Sequence, residues 1–427
     1  MAIETKKDLR NLLIYQVYVR NYSEEGSFSS LRNDLQRIKD LGVDIVYLLP
    51  IHPIGKANRK GQLGSPYSIS DYYGINPELG SLDDFKLLIK AIHDLDMKIM
   101  MDIVFNHTSH DSVLLKEHPE FFYKKDGKFA NKVGDWWDIT DLDFHNKELH
   151  QTLINVLEYW TDLGIDAYRF DVASLLPLDF LISMKEAVLN KNPYTIFLSE
   201  SVHGGFCKYL RNLGFDCLSE SEIFQVFDMA YDYDIHPYFE GYLRGDLPFK
   251  RYLEELNKQE EIYPENYIKM RNLENHDFGR FAKMVDNNIL KIQQWLALTF
   301  FSKGSTMIYN GQEFCDDHLP DLFNKDLINW KGHNLSKFIS DLNRLTKNEV
   351  RSHGAYDIEL QDKDVYIGHY KLNNQKFVGI FNVGLEYGRI NVPLDDGKYI
   401  NEITKKEIII KNNQITLIEE PIIILTN

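Results

Sequence analysis

The sequence predicts an α/β protein built on a (β/α)8 TIM barrel, with a short loop subdomain inserted after strand 3 and an antiparallel β-sandwich domain at the C-terminal end. Two observations predict this architecture. Short apolar runs alternate with amphipathic segments of helical period up to about residue 350. Beyond that point the pattern changes to short β runs separated by turn residues. The chain of 427 residues has room for a barrel of about 250 residues and an appended module.

Eight apolar runs are the predicted barrel strands. They lie at 12–19, 44–50, 98–107, 166–174, 194–201, 214–221, 266–277 and 305–314. A closed parallel barrel suits this alternation because every crossover must be right-handed and both faces of the sheet need cover. A doubly wound open sheet is the structural alternative.

The segments between the runs predict helices with suitable ends. Segment 27–42 ends on Gly42, a helix stop, and segment 81–96 begins with Ser81 as N-cap followed by acidic residues. Further helices are predicted at 147–164, 178–192, 287–304 and 335–350, and a helical region is predicted from about 222 to 260.

Residues 108–146 interrupt the alternation and are too long for an ordinary connection. We therefore expect three units. The catalytic barrel comprises 1–107 and 147–350, the inserted subdomain 108–146, and the C-terminal β domain 351–427.

Composition excludes several classes of partner. The net charge of -16, with no block of Lys and Arg, argues against nucleic acid and is compatible with a neutral, hydroxyl-rich ligand. Three sparse cysteines, Cys207, Cys217 and Cys315, have no metal-type spacing and favour a reducing compartment. No apolar run approaches the ~18 residues of a membrane span, and the first residues lack the apolar core of a signal peptide. A cytoplasmic location is expected; the oligomeric state is left open.

The stretch GIDAYRFDVAS (164–174) contains the central pair of candidate site residues. Arg169 and Asp171 are two apart on a strand, so both point beyond its C-terminal end. A carboxylate beside Arg stays ionised at neutral pH, as a carboxylate nucleophile must. The alternative is a buried structural ion pair, because such pairs also perturb carboxylates.

In an eight-stranded barrel the chemistry lies at the C-terminal ends of the strands. The predicted strand ends supply four carboxylates, one Arg, two His and two Asn to one rim. These residues are Asp102, Asn106 and His107 on strand 3, Arg169 and Asp171 on strand 4, Glu200 on strand 5, and Asn275, His276 and Asp277 on strand 7.

Such a set suits cleavage of a glycosidic bond, which needs one ionised carboxylate and one carboxylic acid. Asp171 beside its Arg suits the first role. Glu200 suits the second, since it follows the apolar run TIFL and partial burial near other acids would raise its pKa. Asp277 would grip sugar hydroxyls, and His107 and His276 would donate hydrogen bonds to them. Each residue alone also fits a structural role; their joint position favours the functional interpretation.

Four motifs extend this interpretation: DIVFNH (102–107), GIDAYRFDVA (164–173), FLSES (197–201) and LENHD (273–277). In order and spacing they resemble the four short sequence regions of the α-amylase family of retaining glycoside hydrolases. The resemblance extends to QVYVRNYS near the start, to GSPYSISDYYGINPELGSLDDF (64–85) and to MIYNGQEF (307–314).

The resemblance implies a (β/α)8 catalytic domain, a small domain after strand 3 and a C-terminal β-sandwich. It implies that Asp171 is the nucleophile, Glu200 the acid/base and Asp277 the transition-state stabiliser. The residues that would surround the sugar are Arg169, His107 and His276, with Tyr67 as the stacking ring and Asp102 orienting the Arg.

Three departures limit the carry-over. Many starch-cleaving members have Lys-His shortly after the nucleophile, where this chain has Ser174 and Leu175, and the insert is short for a calcium-dependent amylase. Asn106 and Asp141 could offer oxygens to calcium, but two donors fall short of the 6–8 that it takes. We expect no essential metal and no required cofactor. Pro66 replaces the usual Gly before the stacking Tyr, which leaves the shape of the innermost pocket open.

The expected function is cleavage of α-glucosidic bonds in maltodextrins or α-gluco-oligosaccharides by double displacement, with an oligosaccharide or α-glucan as partner. A 4-α-glucanotransferase or an exo-acting α-glucosidase is the alternative. A non-catalytic binding or scaffold member of the fold is disfavoured because all three acids are present. The aromatic residues of the insert either form a small core or a sugar-stacking wall; these are Phe121, Phe122, Tyr123, Trp136 and Trp137.

Overall fold

Eight parallel strands close into a barrel in the computed structural model, which describes residues 4–426. The barrel strands, numbered 1 to 8 in chain order, are Leu13–Val17, Ile45–Leu48, Lys98–Ile103, Ala167–Phe170, Ile196–Ser199, Met229–Tyr231, Lys269–Arg271 and Ser305–Tyr309. Each strand pairs with its sequence neighbours, and strand 1 closes the ring on strand 8 with Leu13 opposite Thr306. The predicted (β/α)8 barrel is confirmed, and closure excludes the open sheet.

Helices surround the barrel. Their bounds are Val19–Tyr22, Phe28–Asn33, Leu35–Asp40, Leu82–Asp94, Val113–Glu117, Lys147–Asp162, Leu178–Lys191, Gly204–Asn212, Glu220–Ile223, His236–Leu243, Phe249–Ile262, Phe281–Met284, Ile289–Phe301, Ser336–Thr346 and Glu349–His353. Ser81 forms a capping box with Asp84, as its position predicts. The single helix predicted at 27–42 is interrupted at Asp34.

The sixth strand is not where the sequence predicts it. Residues 214–219 are irregular and lie against the preceding helix, where the Arg211 guanidinium donates to the carbonyl of Cys217 at 2.6 Å. The true strand 6, Met229–Tyr231, falls inside the region predicted as helical and pairs with strands 5 and 7. Three residues are too few to show a period in the sequence. The prediction of the sixth strand at 214–221, a longer apolar run nearby, is therefore wrong.

Apolar side chains pack on both faces of the barrel sheet. Outward-facing residues such as Tyr15, Val46 and Ile99 pack against the helices, while inward-facing residues such as Ile14 and Met100 fill the barrel interior. The filled interior leaves the C-terminal rim of the strands as the place for a ligand.

The C-terminal domain is antiparallel, as predicted. A four-stranded sheet comprises Ala355–Glu359, Tyr366–Leu372, Gln375–Phe381 and Ile422–Thr426, and two ladders pair Arg389–Asn391 with Gln414–Thr416 and Gly397–Ile400 with Glu407–Ile410. Buried side chains such as Ile367 and Ile415 form a separate core in this domain. The Tyr370 hydroxyl donates to the carbonyl of Phe301 at 2.8 Å and fixes the domain to the barrel.

The insert contains two small ladders and a short helix. His107–Ser109 pairs with Ile139–Asp141, and Lys124–Lys125 pairs with Lys128–Phe129. Phe121 and Phe122 are buried in the main apolar core, which fits the packing alternative for these two rings, whereas Trp137 is 53% exposed. Within the described residues, no helix combines the length and apolar character needed to span a membrane.

His52, which follows strand 2, gives the fold a pH dependence. The imidazole is buried, its Nδ1 lies 3.1 Å from the carbonyl of Gly74, and Nε2 meets no acceptor among the described residues. Burial lowers the pKa from 6.5 to about 4. Between these values the unfolded chain binds a proton that the folded chain does not, so stability is present above pH 6.5 and is lost as the pH falls towards 4.

We expect His52→Asn to make the loss of stability between pH 6.5 and 4 less steep by the contribution of one histidine. The lowered pKa corresponds to at most about 3 kcal/mol between pH 6.5 and 4, and Asn does not titrate. Urea denaturation at a series of pH values measures the free energy of unfolding of both proteins. An equally steep loss of stability in the variant would contradict the role of His52.

Candidate active site

One buried guanidinium, that of Arg169, contacts three carboxylates at the C-terminal ends of strands 3, 4 and 5. Nη1 lies 2.7 Å from Asp102 Oδ1 and 3.1 Å from Asp171 Oδ1, and Nη2 lies 2.9 Å from Glu200 Oε2. The Arg side chain is fully buried. The contact with Glu200 is an ion pair by distance rather than a directed hydrogen bond, because Nη2 has no hydrogen-bond partner by geometry.

The strand register explains this convergence. Asp102 is directly opposite Arg169 in the ladder of strands 3 and 4. Beyond the strand ends the pattern continues, since the backbone N–H of Asp171 donates to the carbonyl of Ile103 and that of Glu200 to the carbonyl of Phe170. Residues at matching heights on adjacent parallel strands point to the same rim.

Val172 fixes the position of Glu200. Its backbone N–H donates to Glu200 Oε2 at 2.7 Å, and the N–H of Ala173 donates to the Glu200 carbonyl at 3.0 Å. Val172 has φ of +38°, a left-handed conformation that is strained for a β-branched residue. The sequence offers no indication of this strain, so the contribution of Val172 was missed.

The protonation of the pair differs from the sequence-based expectation. Burial and the neighbouring Glu200 carboxylate raise the pKa of Asp171 well above its usual value, and these effects exceed the opposing effect of Arg169. The negative charge of a neighbouring carboxylate in a desolvated site opposes ionisation of Asp171. Arg169 therefore does not by itself keep Asp171 ionised in the free protein.

Asp277 lies at the end of strand 7 and is open to the cleft, with 39% of its side chain exposed. Its Oδ2 lies 3.3 Å from Nε2 of His276 and accepts a hydrogen bond from the Tyr233 hydroxyl at 3.4 Å. The Asn275 amide donates to the same hydroxyl at 2.8 Å. The enclosing walls desolvate the carboxyl group and raise the pKa of Asp277, while Arg169 and the Tyr233 hydrogen bond lower it.

Tyr67 and His276 join the two sides of the site. The Tyr67 hydroxyl donates to Asp102 Oδ2 at 3.0 Å and lies 2.6 Å from His276 Nε2, and the two rings are stacked 5.4 Å apart. Burial and the charge of Arg169 lower the pKa of His276 to about 4, so the ring is neutral at pH 7. With the Gln16 amide donating to Nδ1 at 3.2 Å, the network assigns the remaining proton to Nε2.

His107 lies behind Tyr67, at the start of the first insert strand. Its imidazole forms a hydrogen bond with the backbone of Tyr67, and burial lowers the pKa of His107 to about 4. Its ring is 5.9 Å from that of Trp136, so His107 connects the stacking ring to the insert. All eight predicted site residues therefore lie at one rim: Asp102, Tyr67, Arg169, Asp171, Glu200 and His276 in one network, Asp277 beside it, and His107 behind it.

The motif YDYD (231–234) begins at the last residue of strand 6 and supplies two site residues that sequence reasoning missed. Tyr231 lies under Arg169, with the guanidinium carbon 5.5 Å from its ring centroid, and Tyr233 contacts Asp277. Asp232 and Asp234 point the opposite way, to buried basic residues behind the site. The alternation of Tyr and Asp at period 2 is a strand pattern that could have identified this element.

Asn106 and Asp141, the two potential calcium ligands, contact each other behind the site. The Asn106 amide donates to Asp141 Oδ1 at 3.2 Å, and Asn106 Oδ1 is buried without a partner among the described residues. Burial raises the pKa of Asp141 to about 6. Within residues 4–426 no group of three or more His, Cys, Asp or Glu side chains could hold a metal ion. The expectation that no metal is essential stays a prediction.

Comparison with known families decides the affiliation. The family model described as the alpha amylase catalytic domain matches residues 16–353, and that of the bacterial alpha amylase C-terminal domain matches residues 357–424. The chain belongs to the α-amylase family.

Solved structures of this family resemble the fold of nearly the whole chain. An α-amylase from Lactobacillus plantarum is 42% identical, with a TM-score of 0.96 over 99% of this chain and 100% of that one. A noncanonic maltogenic α-amylase from Thermotoga neapolitana is 32% identical, with a TM-score of 0.87 over 98% of this chain and 99% of that one.

Curated relatives have other names and greater length. An α-1,4-glucan:maltose-1-phosphate maltosyltransferase from Picrophilus torridus is 28% identical over 93% of this chain and 65% of the relative. A relative of the same name from Burkholderia pseudomallei is 34% identical over 47% of this chain and 20% of the relative. The chain thus spans less than two thirds of these relatives.

Tyr233→Phe tests the contact with Asp277. The hydroxyl lowers the pKa of Asp277, so its removal should raise that pKa and shift the acidic limb of kcat/KM towards higher pH. We expect a loss of about three- to tenfold at pH 7 with an α-glucan substrate. The control is Tyr242→Phe, which loses a hydroxyl bonded to Asp364, at the contact with the C-terminal domain. An unshifted limb in Tyr233→Phe would contradict the assignment.

Proposed function

We propose that this α-amylase family member hydrolyses α-glucosidic bonds of maltodextrins or short α-gluco-oligosaccharides with retention of configuration. The observation that supports this most is the attachment of Asp171 and Glu200 to neighbouring nitrogens of one guanidinium. Retaining enzymes need their two carboxyl groups only about 5–5.5 Å apart, and a shared guanidinium holds two carboxylates side by side.

In the first step Glu200 donates a proton to the leaving oxygen while Asp171 attacks the anomeric carbon. Glu200 Oε2 is occupied by the Val172 N–H, which leaves Oε1 for the proton. Asp171 Oδ1 is held by Arg169, which leaves Oδ2 for attack. The positive charge that develops on the sugar favours the ionised form of Asp171 in the transition state. The product is a glycosyl ester of Asp171.

In the second step the Glu200 carboxylate takes a proton from water, which attacks the anomeric carbon and releases Asp171. Asp277 faces the cleft and would stabilise the oxocarbenium-like charge in both transition states. His276 is neutral, so it adds no positive charge next to the developing one, and its Nε2–H orients the hydroxyl of Tyr67.

Transfer to a sugar is the second candidate, because the curated relatives are named maltosyltransferases. Only the acceptor of the second step differs. Incubation with maltoheptaose separates the two: hydrolysis gives only shorter sugars, whereas transfer also gives longer ones. Release of phosphate from maltose 1-phosphate in the presence of glycogen would indicate the reaction named for the relatives. Arg169 is already paired with three carboxylates, so its guanidinium is not available to bind the phosphate of maltose 1-phosphate.

The cysteines support a reducing compartment such as the cytoplasm. Cys207, Cys217 and Cys315 are all free. The Cys207 thiol donates to the carbonyl of Cys217 at 3.4 Å rather than forming a disulfide. We infer that the protein works where thiols stay reduced.

Asp171→Asn should abolish release of reducing sugar from maltoheptaose, by at least about 10⁴-fold, because the amide cannot form the ester intermediate. The matched control is Asp179→Asn, at an exposed ion pair with Lys147 on the surface helices. It should retain full activity. Equal rates for wild type and Asp171→Asn would overturn the nucleophile assignment and leave a binding or scaffold role.

Glu200→Gln should affect substrates according to their leaving groups. Maltodextrins need protonation at the leaving oxygen, so kcat/KM should fall by about 10²–10⁴-fold. The 4-nitrophenolate of an aryl glycoside leaves without a proton, so kcat/KM for that substrate should fall far less. If both substrates slowed equally, Glu200 would not be the acid.

A further inference from the structure

Phe278, the residue directly after Asp277, is held between two aromatic side chains. The His236 ring stacks on it, with ring centroids 3.6 Å apart and an angle of 17° between the planes. The Tyr233 ring meets it edge-on, with centroids 5.0 Å apart and an angle of 72°. Aromatic pairs in such arrangements stabilise packing beyond the area that they bury. The side chain that follows Asp277 is therefore restrained from two directions.

His236 belongs to a firmly packed part of the fold. It is the first residue of the helix His236–Leu243. One turn further on, Phe239 is buried, and its ring lies 5.8 Å from that of His236. The Phe239 ring in turn lies 5.1 Å from that of Trp295, a buried residue of the helix between strands 7 and 8. A row of rings thus connects Phe278 to the helices around the barrel.

Asp277 has longer contacts than the other two acids of the site. Asp171 Oδ1 lies 3.1 Å from the shared guanidinium, and Glu200 Oε2 accepts a backbone N–H at 2.7 Å. In contrast, Asp277 Oδ2 lies 3.3 Å from His276 Nε2 and 3.4 Å from the Tyr233 hydroxyl. Hydrogen bonds of this length fix the direction of a side chain only weakly. The direction of the Asp277 carboxylate therefore depends more on the backbone that carries it.

The loop that carries Asp277 is closed at its base and bonded within itself. Glu274 Oε1 accepts from Arg280 Nη1 at 2.7 Å, and its Oε2 accepts from the backbone N–H of Phe281 at 2.7 Å. Asn275 Oδ1 accepts from the backbone N–H of Asp277 at 2.8 Å and from that of the next residue at 3.1 Å. These bonds lie within the loop, so its position relative to the neighbouring helix depends on the aromatic contacts.

The contact of His236 with Phe278 is packing between uncharged rings. Burial lowers the pKa of His236, so the imidazole is neutral at pH 7. Its Nε2 is buried and has no hydrogen-bond partner among the described residues. Another flat ring at this position should therefore retain the contact, whereas a small aliphatic side chain should lose it.

We propose that His236 is a positioning residue for Asp277 and acts through Phe278. The proposal rests on the function proposed above, in which Asp277 stabilises the oxocarbenium-like charge. The stacked imidazole holds the tip of the loop, so that the carboxylate points at the anomeric carbon; without the stack the tip can move away. Because the charge develops only in the transition state, loss of the stack lowers kcat rather than raising KM.

Kinetics with maltoheptaose test this role. His236→Ala should lower kcat by about ten- to a hundredfold and change KM by less than about threefold. His236→Phe retains a flat ring on Phe278 and should keep kcat within about threefold of the wild type. His236→Leu fills a similar volume without a flat face and should still lower kcat by about fivefold or more, so it provides the test if the Ala variant does not fold.

A double-mutant cycle distinguishes positioning from a merely structural role. Asp277→Asn removes the charge that His236 is proposed to position. Adding His236→Ala to Asp277→Asn should therefore lower kcat by less than about threefold further. A merely structural role would give the same fold loss of kcat in both backgrounds.

The matched control is His118→Ala. The His118 ring stacks on Phe121 in the insert in a similar way, with centroids 4.6 Å apart and an angle of 8°. Loss of this stack should leave kcat and KM unchanged. An unchanged kcat in His236→Ala, an equal loss in His236→Phe, or equal losses in both backgrounds of the cycle would overturn the role of His236. Failure of the wild type to cleave maltoheptaose, or a full kcat in Asp277→Asn, would instead overturn the proposed function.

Discussion

The buried charge of Arg169 is the constraint on which the site depends. Removing a guanidinium from water costs several kcal/mol unless opposite charges and hydrogen bonds replace the solvent. Here the replacement comes from Asp102, Asp171 and Glu200, each on a different one of three adjacent strands. The barrel register puts these residues at one height, so the closed sheet and the ionic centre require each other. Loss of any one acid would leave the others and the Arg unbalanced.

A second group of buried charges supports the site from behind. Lys269 is fully buried, pairs with Asp234 at 2.9 Å and also contacts Glu220, which accepts a hydrogen bond from the Ser201 hydroxyl at 2.6 Å. Ser201 directly follows Glu200. Ion pairs of this kind add little net stability, but they fix geometry, because breaking one leaves a buried charge unpaired. The acid/base candidate is thus held from the front by Arg169 and from behind through Ser201.

Sequence reasoning recovered those parts of the molecule that follow from period and register. The alternation of apolar runs and helices predicted the barrel, and residues at predicted strand ends proved to be neighbours. It did not recover what depends on three-dimensional detail: a strand of three residues, Met229–Tyr231, is too short to show a period. The left-handed Val172 and the raised pKa of Asp171 depend on contacts between separate segments, which no local pattern encodes.

In the proposed mechanism, water or a sugar acceptor would enter on the leaving side, beside Glu200. Where many relatives have Lys-His, this chain has Ser174, whose hydroxyl accepts from the N–H of Val202, and Leu175, which is buried in an apolar cluster that includes Trp136 and Phe206. In the proposed mechanism hydrolysis and transfer would share Asp171, Glu200 and Asp277, so these carboxylates by themselves do not distinguish the two reactions.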